Sequence, residues 1–289
     1  MPDESDPDAL YADARALARC ASRLPPGEMA SRAQRFLTDC DARIAAAPRP
    51  TVLRKGYQRA AAAAALVGLA ASVRTGDQTG LWATAAEEHA RAAGDGPLLA
   101  ELWLTRSVED GAAAHAREIG SPVAMRHILA AQSVVGASAF ARCWAHLALA
   151  NEWALDAEGH GALIDLDCAA RDADDALSSP FAAPVEDVAA WVSGSRAAVL
   201  RRLGRSADAE AALQLAGSRG IVSDVYLGVE WARLRLATDD ADAAAAHLAA
   251  ALDTCHALGL AGRVPFIAAA ARDLPDAAST RRLADLLRG

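Results

Sequence analysis

The chain predicts an all-α protein, on three observations. Apolar residues make up 53% of it, yet only 4% is aromatic, so alanine carries much of the apolar count. Alanine is the best helix former and lets helices approach closely. Val, Ile and Thr are sparse, and no strand-like alternation persists. Finally, a helix-pair rhythm recurs, marked by alanines at matching places: Ala197, Leu200, Gly204, Ala209, Leu213 and Ala216 are answered by Ala232, Arg235, Asp239, Ala244, Leu248 and Ala251.

The two sets stand 35 residues apart, the period of a tetratricopeptide array, in which paired small residues let the two helices of a hairpin close up. The expectation is a tetratricopeptide-like helical-hairpin solenoid of about 12–14 helices. Asp6-Pro7-Asp8 caps a first helix running to about Arg23, which Pro25-Pro26-Gly27 breaks. A second runs from about Glu28 to Ala46 and closes at Pro48-Arg49-Pro50. Residues 1–48 are thus lead-in or capping helices, 49–260 the array and 261–289 capping helices. Within the array a helix over Thr51–Arg74 turns at Gly76 into one over Thr79–Ala93. A long helix from Leu98 to about Glu118 follows, and Ser121-Pro122 start its partner. Ala139–Leu155 pairs with His160–Leu177, where Ala150, Trp153, Ala162, Leu166 and Ala169 take the equivalent places. The insertion Ser178–Pro184 stretches the next interval to 47 residues, from Ala162 to Ala209. Pairs at 185–203 with 206–218 and 222–237 with 240–258 follow, then two short helices between Arg263 and Arg288.

A net charge of −8 argues against a direct nucleic-acid binder, which needs a basic face to displace counterions. Arg54-Lys55, Arg201-Arg202 and Arg281-Arg282 read as solvated helix faces rather than phosphate clamps. Five scattered cysteines, Cys20, Cys40, Cys143, Cys168 and Cys255, suggest reduced thiols and a cytoplasmic protein. The acidic start, Met1 to Asp6, has no apolar signal core. The longest apolar run, Ala60 to Val73, is too short and too alanine-rich to span a bilayer.

Arg91-Ala92-Ala93-Gly94-Asp95, Ser179-Pro180-Phe181 and the run Leu200 to Glu210 carry a family likeness, as does the final pair with Leu252 and Ala257. Over residues 50–275, and more loosely 8–46, the chain resembles the C-terminal tetratricopeptide-like region of actinobacterial regulators that carry an N-terminal Xre-type helix-turn-helix. About 46 residues precede the first repeat, and they match lead-in helices better than a basic recognition helix. The resemblance therefore implies a stand-alone sensor, adaptor or descendant of the sensor domain, with roles in ligand sensing, protein binding and transcription regulation. Related peptide-pheromone receptors hold a short peptide in the same concave surface.

The first helix of each pair should line that surface. Its second position falls on Trp144, Trp191 and Tyr226 in three successive units, and its ninth on Asn151, Ala198 and Arg233. In the preceding unit the second and fifth positions are Arg106 and Glu109. Aromatics there can hold a peptide or an apolar ligand, while Asn151 and Arg233 can fix a backbone or carboxylate. The competing reading is that these aromatics pack between units. Trp82, Trp103, Trp153 and Trp231 read as core. Asn151 matches the asparagine of carboxylate-clamp repeats, but Leu147 stands where the basic partner belongs.

Signatures of chemistry are missing or incomplete. There is no phosphate loop, no H-E-x-x-H, and Gly94-Asp95-Gly96 sits between helices rather than after a strand. Cys143 and His146 lie one turn apart, but two ligands do not make a metal site, and no cofactor is expected. His89, His115, His127 and His160 read as polar-face or turn residues, and Ser193, Ser195 and Cys143 lack a nucleophile signature. The leading expectation is a regulatory protein that binds a peptide, a small molecule or a protein partner in its concave groove, without direct nucleic-acid or membrane contact; self-association as a homodimer is left open. The alternative is an enzyme or accessory factor of a biosynthetic pathway that holds a small substrate in a chamber closed by the two caps.

Overall fold

The computed structural model describes residues 6–20, 24–47, 51–76, 79–134, 136–177, 188–217, 221–275 and 283. Its described residues form thirteen α-helices and one short 3₁₀ turn, with no strand. In order these are α1 Pro7–Arg19, α2 Pro26–Ala46, α3 Val52–Thr75, α4 Gly80–Ala93, α5 Gly96–Ala116, α6 Pro122–Gln132 and α7 Ala139–Leu155. They continue as α8 Gly159–Leu177, α9 Val188–Arg202, α10 Ser206–Ala216, α11 Ile221–Ala237, α12 Ala241–Leu258, the 3₁₀ turn Ala261–Arg263 and α13 Val264–Ala271. The all-α expectation agrees with this. The predicted insertion at 178–184 and the second of the two C-terminal helices lie outside the described residues, leaving α13 as the first.

Local chemistry explains the boundaries. Asp95, Ser121 and Ser138 each cap a helix, their side-chain oxygens accepting from the backbone N–H groups of Leu98, Ala124 and Ala141. Gly76 stops α3 in the left-handed conformation, with φ of 76°. Three hairpins turn in the same way: the N–H groups of Glu158, Arg205 and Asp240 reach back to the carbonyls of Trp153, Leu200 and Arg235. The left-handed residues are Ala157, Gly204 and Asp239, so the turns repeat at the intervals that the alanines mark.

Sequence neighbours pack pairwise, most extensively α2 with α3, α7 with α8, α3 with α4, α11 with α12 and α9 with α10. The core is accordingly a chain of local clusters. Ala150, Ala162 and Ala169 share one, Ala197, Ala209 and Leu213 a second, and Ala232, Ala244, Leu248 and Ala251 a third. Each of these residues is essentially sealed from solvent, because an alanine on each helix leaves no room for water between the two backbones.

The succession of pairs bends round until its ends meet. The 3₁₀ turn packs on α3, and α13 packs on α5 and α11. Gly262 is the point of closest approach: a Cβ there would lie 2.4 Å from the Val73 carbonyl oxygen and 2.9 Å from that of Arg74. The C-terminal segment therefore does more than cover α12. It closes a seam against helices that lie far earlier in the chain, α3 and α5.

Candidate functional site

The seam borders a central, partly open cavity of about 480 Å³, lined from α1 round to α13. Its apolar wall comes from α7 and α9. Phe140, Trp144 and Trp191 form an aromatic cluster, with Trp144 and Trp191 edge to face at a centroid distance of 6.0 Å and Phe140 5.4 Å from Trp191. These geometries are the favourable ones for aromatic quadrupoles. Both tryptophans are only part-buried, so they pack between units and face the cavity at once.

The polar wall comes from α9 and α11, braced from behind by the turn after α5. Glu118 occupies that turn with φ of 55°, a left-handed conformation that is costly for a non-glycine residue. Its carboxylate meets three guanidiniums: Arg201 Nη1 at 3.1 Å, Arg202 Nε at 3.1 Å and Arg233 Nη1 at 3.4 Å. Glu230, 2% exposed, accepts from Arg201 Nε at 3.0 Å and Arg233 Nη1 at 3.2 Å. Burial pushes the Glu230 carboxyl up, but Arg201, Arg202 and Arg233 outweigh it and hold the group at about 2. Glu118 is likewise held below the carboxylate range: burial opposes the shift, and its three arginines prevail. Arg201 and Arg202 are thus not the solvated helix face that their spacing suggested. Their side chains are nearly buried, because closure of the array brings two carboxylates onto them.

Of the residues singled out from sequence, Trp144, Asn151, Trp191, Tyr226 and Arg233 come together around the cavity. Asn151 accepts from Arg202 Nη1 at 2.7 Å. Arg233 is 7% exposed and fully engaged: besides Glu230 and Glu118 it donates from Nη2 to the Ala116 carbonyl at 3.2 Å. Tyr226 is 43% exposed, but this area faces the hollow. Burial in the surrounding protein, and then Glu230, push its phenol upward, so the hydroxyl remains a donor at neutral pH. Arg106 and Glu109 do not reach the cavity. Arg106 lies over the Trp103 ring, and Glu109 accepts from the Thr79 hydroxyl.

Sequence reasoning missed Phe140, Glu118, Glu230 and the seam residues Arg74 and Arg263, all but Glu118 part of the cavity wall. Reading only the second and ninth positions of first helices passes over Phe140 and Glu230, each one turn from Trp144 or Tyr226, and nothing within one repeat marks the seam residues, since the seam joins distant parts of the chain. His115 and Glu152 also line the cavity, and Glu152 accepts from His115 Nε2 and from the Ser121 backbone N–H. The other side of that imidazole, Cε1 and Nδ1, lies over Gly111, where a Cβ would stand 2.5 Å from Cε1 and 3.0 Å from Nδ1. Both ring nitrogens therefore face protein, and the pair fastens α5 to α7 rather than presenting a base to a substrate. His89, His127 and His146 are similarly paired, with Asp41, Asp110 and Asp165. Among the described residues no group of His, Cys, Asp and Glu could hold a metal ion, and no helix is long and apolar enough to cross a membrane.

The fold and the site together define a class: an all-helical protein of stacked helix pairs whose ends meet around an internal chamber. Comparison with models of known protein families, with curated proteins and with solved structures gives no match.

Proposed function

We propose that this protein is a tetratricopeptide-like array that holds a small organic molecule in its central chamber and acts as a ligand-sensing regulatory protein. The central cavity of about 480 Å³ carries this reading, since its size suits a small ligand and it combines an aromatic wall with a few convergent polar groups. The repeated alanines and left-handed turns support the array. Closure of α13 on α5 favours a compact ligand over a peptide laid through an open groove. Occupancy would act on the seam: a molecule touching α7, α9, α11 and the 3₁₀ turn favours the closed ring over an open one by its differential affinity for the two. The state of the ring would then be read by a protein partner.

A second reading draws on the same cavity. An accessory factor or enzyme of biosynthesis could fold a substrate against Trp144 and Trp191 and accelerate its reaction by positioning alone. Native mass spectrometry of protein purified from its own host, followed by denaturation and identification of what is released, tests both. A retained small molecule that is lost when Ser195, on the cavity wall, is replaced by tryptophan is the expected result. Release of a compound unchanged after incubation supports sensing, and release of a changed one supports chemistry. Protein that is empty, and whose melting temperature no cell-extract fraction raises, would overturn the chamber reading.

A further inference from the structure

The chamber wall has an imbalance of charge. In the wall and just behind it, Arg201, Arg202 and Arg233 set three cations against the two carboxylates of Glu118 and Glu230, while Glu101 is paired with Arg15 and Glu152 with His115 and the Ser121 N–H. At the seam two further arginines, Arg74 and Arg263, line the same cavity. Among the described residues Arg263 has no carboxylate or carbonyl acceptor; its guanidinium lies over the Phe266 ring, 5.9 Å from the centroid. Burial lowers both seam arginines, and Arg263 adds its repulsion to Arg74, which falls to about 10. The interior is therefore electropositive in a chain whose net charge is −8. Two like charges held together in a partly desolvated wall are a standing cost that an arriving anion relieves.

We propose that the chamber is selective for an amphipathic organic anion, with its apolar body against Phe140, Trp144 and Trp191 and its acidic group at the seam beside Arg263, where the Tyr226 hydroxyl is the second donor. This rests on the chamber reading above and adds the chemical class of the ligand. Arg233, fully engaged by Glu230, Glu118 and Ala116, is the internal frame of the polar wall. Arg263 is the cation left for the ligand. A carboxylate, sulfonate or phosphate head group satisfies the same requirement: a planar guanidinium donates two parallel hydrogen bonds to such oxygens.

Two fluorescent probes with one ring skeleton separate charge from apolar fit: 8-anilinonaphthalene-1-sulfonate and the uncharged N-phenyl-1-naphthylamine. Binding is followed by energy transfer from tryptophan, with stoichiometry from titration. The sulfonate is expected to bind one-to-one and at least about tenfold more tightly than the amine, the scale of one charge-assisted hydrogen bond. Arg263→Gln should abolish that preference and leave the amine unchanged. Arg263→Lys should restore part of it, and Tyr226→Phe, which keeps the shape, should reduce it a few-fold. Equal affinity of the two probes for the unaltered protein, or equal weakening of both by Arg263→Gln in protein that still melts cooperatively, would overturn anion selectivity while leaving the chamber standing. Failure of both probes to bind, or binding that Ser195→Trp does not disturb, would overturn the chamber itself and this inference with it.

Discussion

Glu118 and Arg201 are 83 residues apart in sequence and joined across the middle of the molecule, with Arg201 Nη1 3.1 Å from Glu118 Oε2. The contact ties the turn after α5 to α9, and through Arg233 to α11. It holds together elements that do not adjoin in the succession of pairs, so it fixes the curvature that leaves a chamber in the centre.

Replacing Glu118 by alanine should therefore weaken the ring more than its partial exposure suggests. Three guanidiniums would be left around Glu230 alone. We expect a loss of about 2–3 kcal/mol, somewhat below the usual effect of breaking a fully buried pair. Urea unfolding checks this. A loss below about 0.5 kcal/mol would place the pair among weak surface bridges instead.

Acid should unfold the protein through the same cluster. The Glu230 carboxyl is held at about 2, against an ordinary 4.5. A group whose folded value is depressed contributes its full stability above the unfolded value and loses it as pH falls towards the folded one. The stabilisation should thus be complete above about pH 5 and decline between about 4.5 and 2, amounting to on the order of 3 kcal/mol. Glu118 adds to the slope in the same direction. Denaturant melts between pH 7 and 2.5 would show this, and Glu230→Gln should flatten the curve over that range.

Gly262 is the point at which the seam can be opened by one atom. A methyl group there would stand 2.4 Å from the Val73 carbonyl oxygen, which belongs to helix backbone and cannot rotate away. Gly262→Ala should displace the 3₁₀ turn from α3 at a cost of about 1–3 kcal/mol. Protease should then cleave the stretch around 259–264 faster, while hydrogen exchange in α7 and α8 stays as it was. Unchanged cleavage would mean that the seam has slack.

Cysteine reactivity should divide by position. Burial pushes the thiols of Cys40 and Cys143 up to about 12, with neighbouring aspartates adding to it, and Cys255 to about 11. All three are sealed in the core. Under native conditions at pH 8, iodoacetamide should label Cys20, which is exposed, and Cys168, which is part-exposed, well before the other three. Peptide mass spectrometry reads the order directly. Labelling of Cys143 at the rate of Cys20 would show that α7 opens readily.

The fold was legible where its cause is local. Ala162, Ala209 and Ala244 lie at the same point of three hairpins because each hairpin is closed by residues within one repeat, and the turns at Ala157, Gly204 and Asp239 follow from that register. The helical period placed Trp144, Trp191 and Tyr226 on one inner wall for the same reason. Arg106 and Glu109 followed the same rule and missed the cavity, because Arg106 lies over the Trp103 ring and Glu109 accepts from the Thr79 hydroxyl.

What the sequence by itself determined is therefore the all-helical class, the repeated hairpin and the aromatic stripe, all products of contacts within about 35 residues. The tertiary structure alone decided that the ends meet, that Arg201 and Arg202 are buried against Glu118 and Glu230, and that Arg74 and Arg263 share a wall. Each hairpin turns by a small angle set by side-chain packing, and only the sum of those angles brings α13 to α5. A sum over the whole chain leaves no mark at any one position, so the chamber and its charge become visible only once the ring has closed.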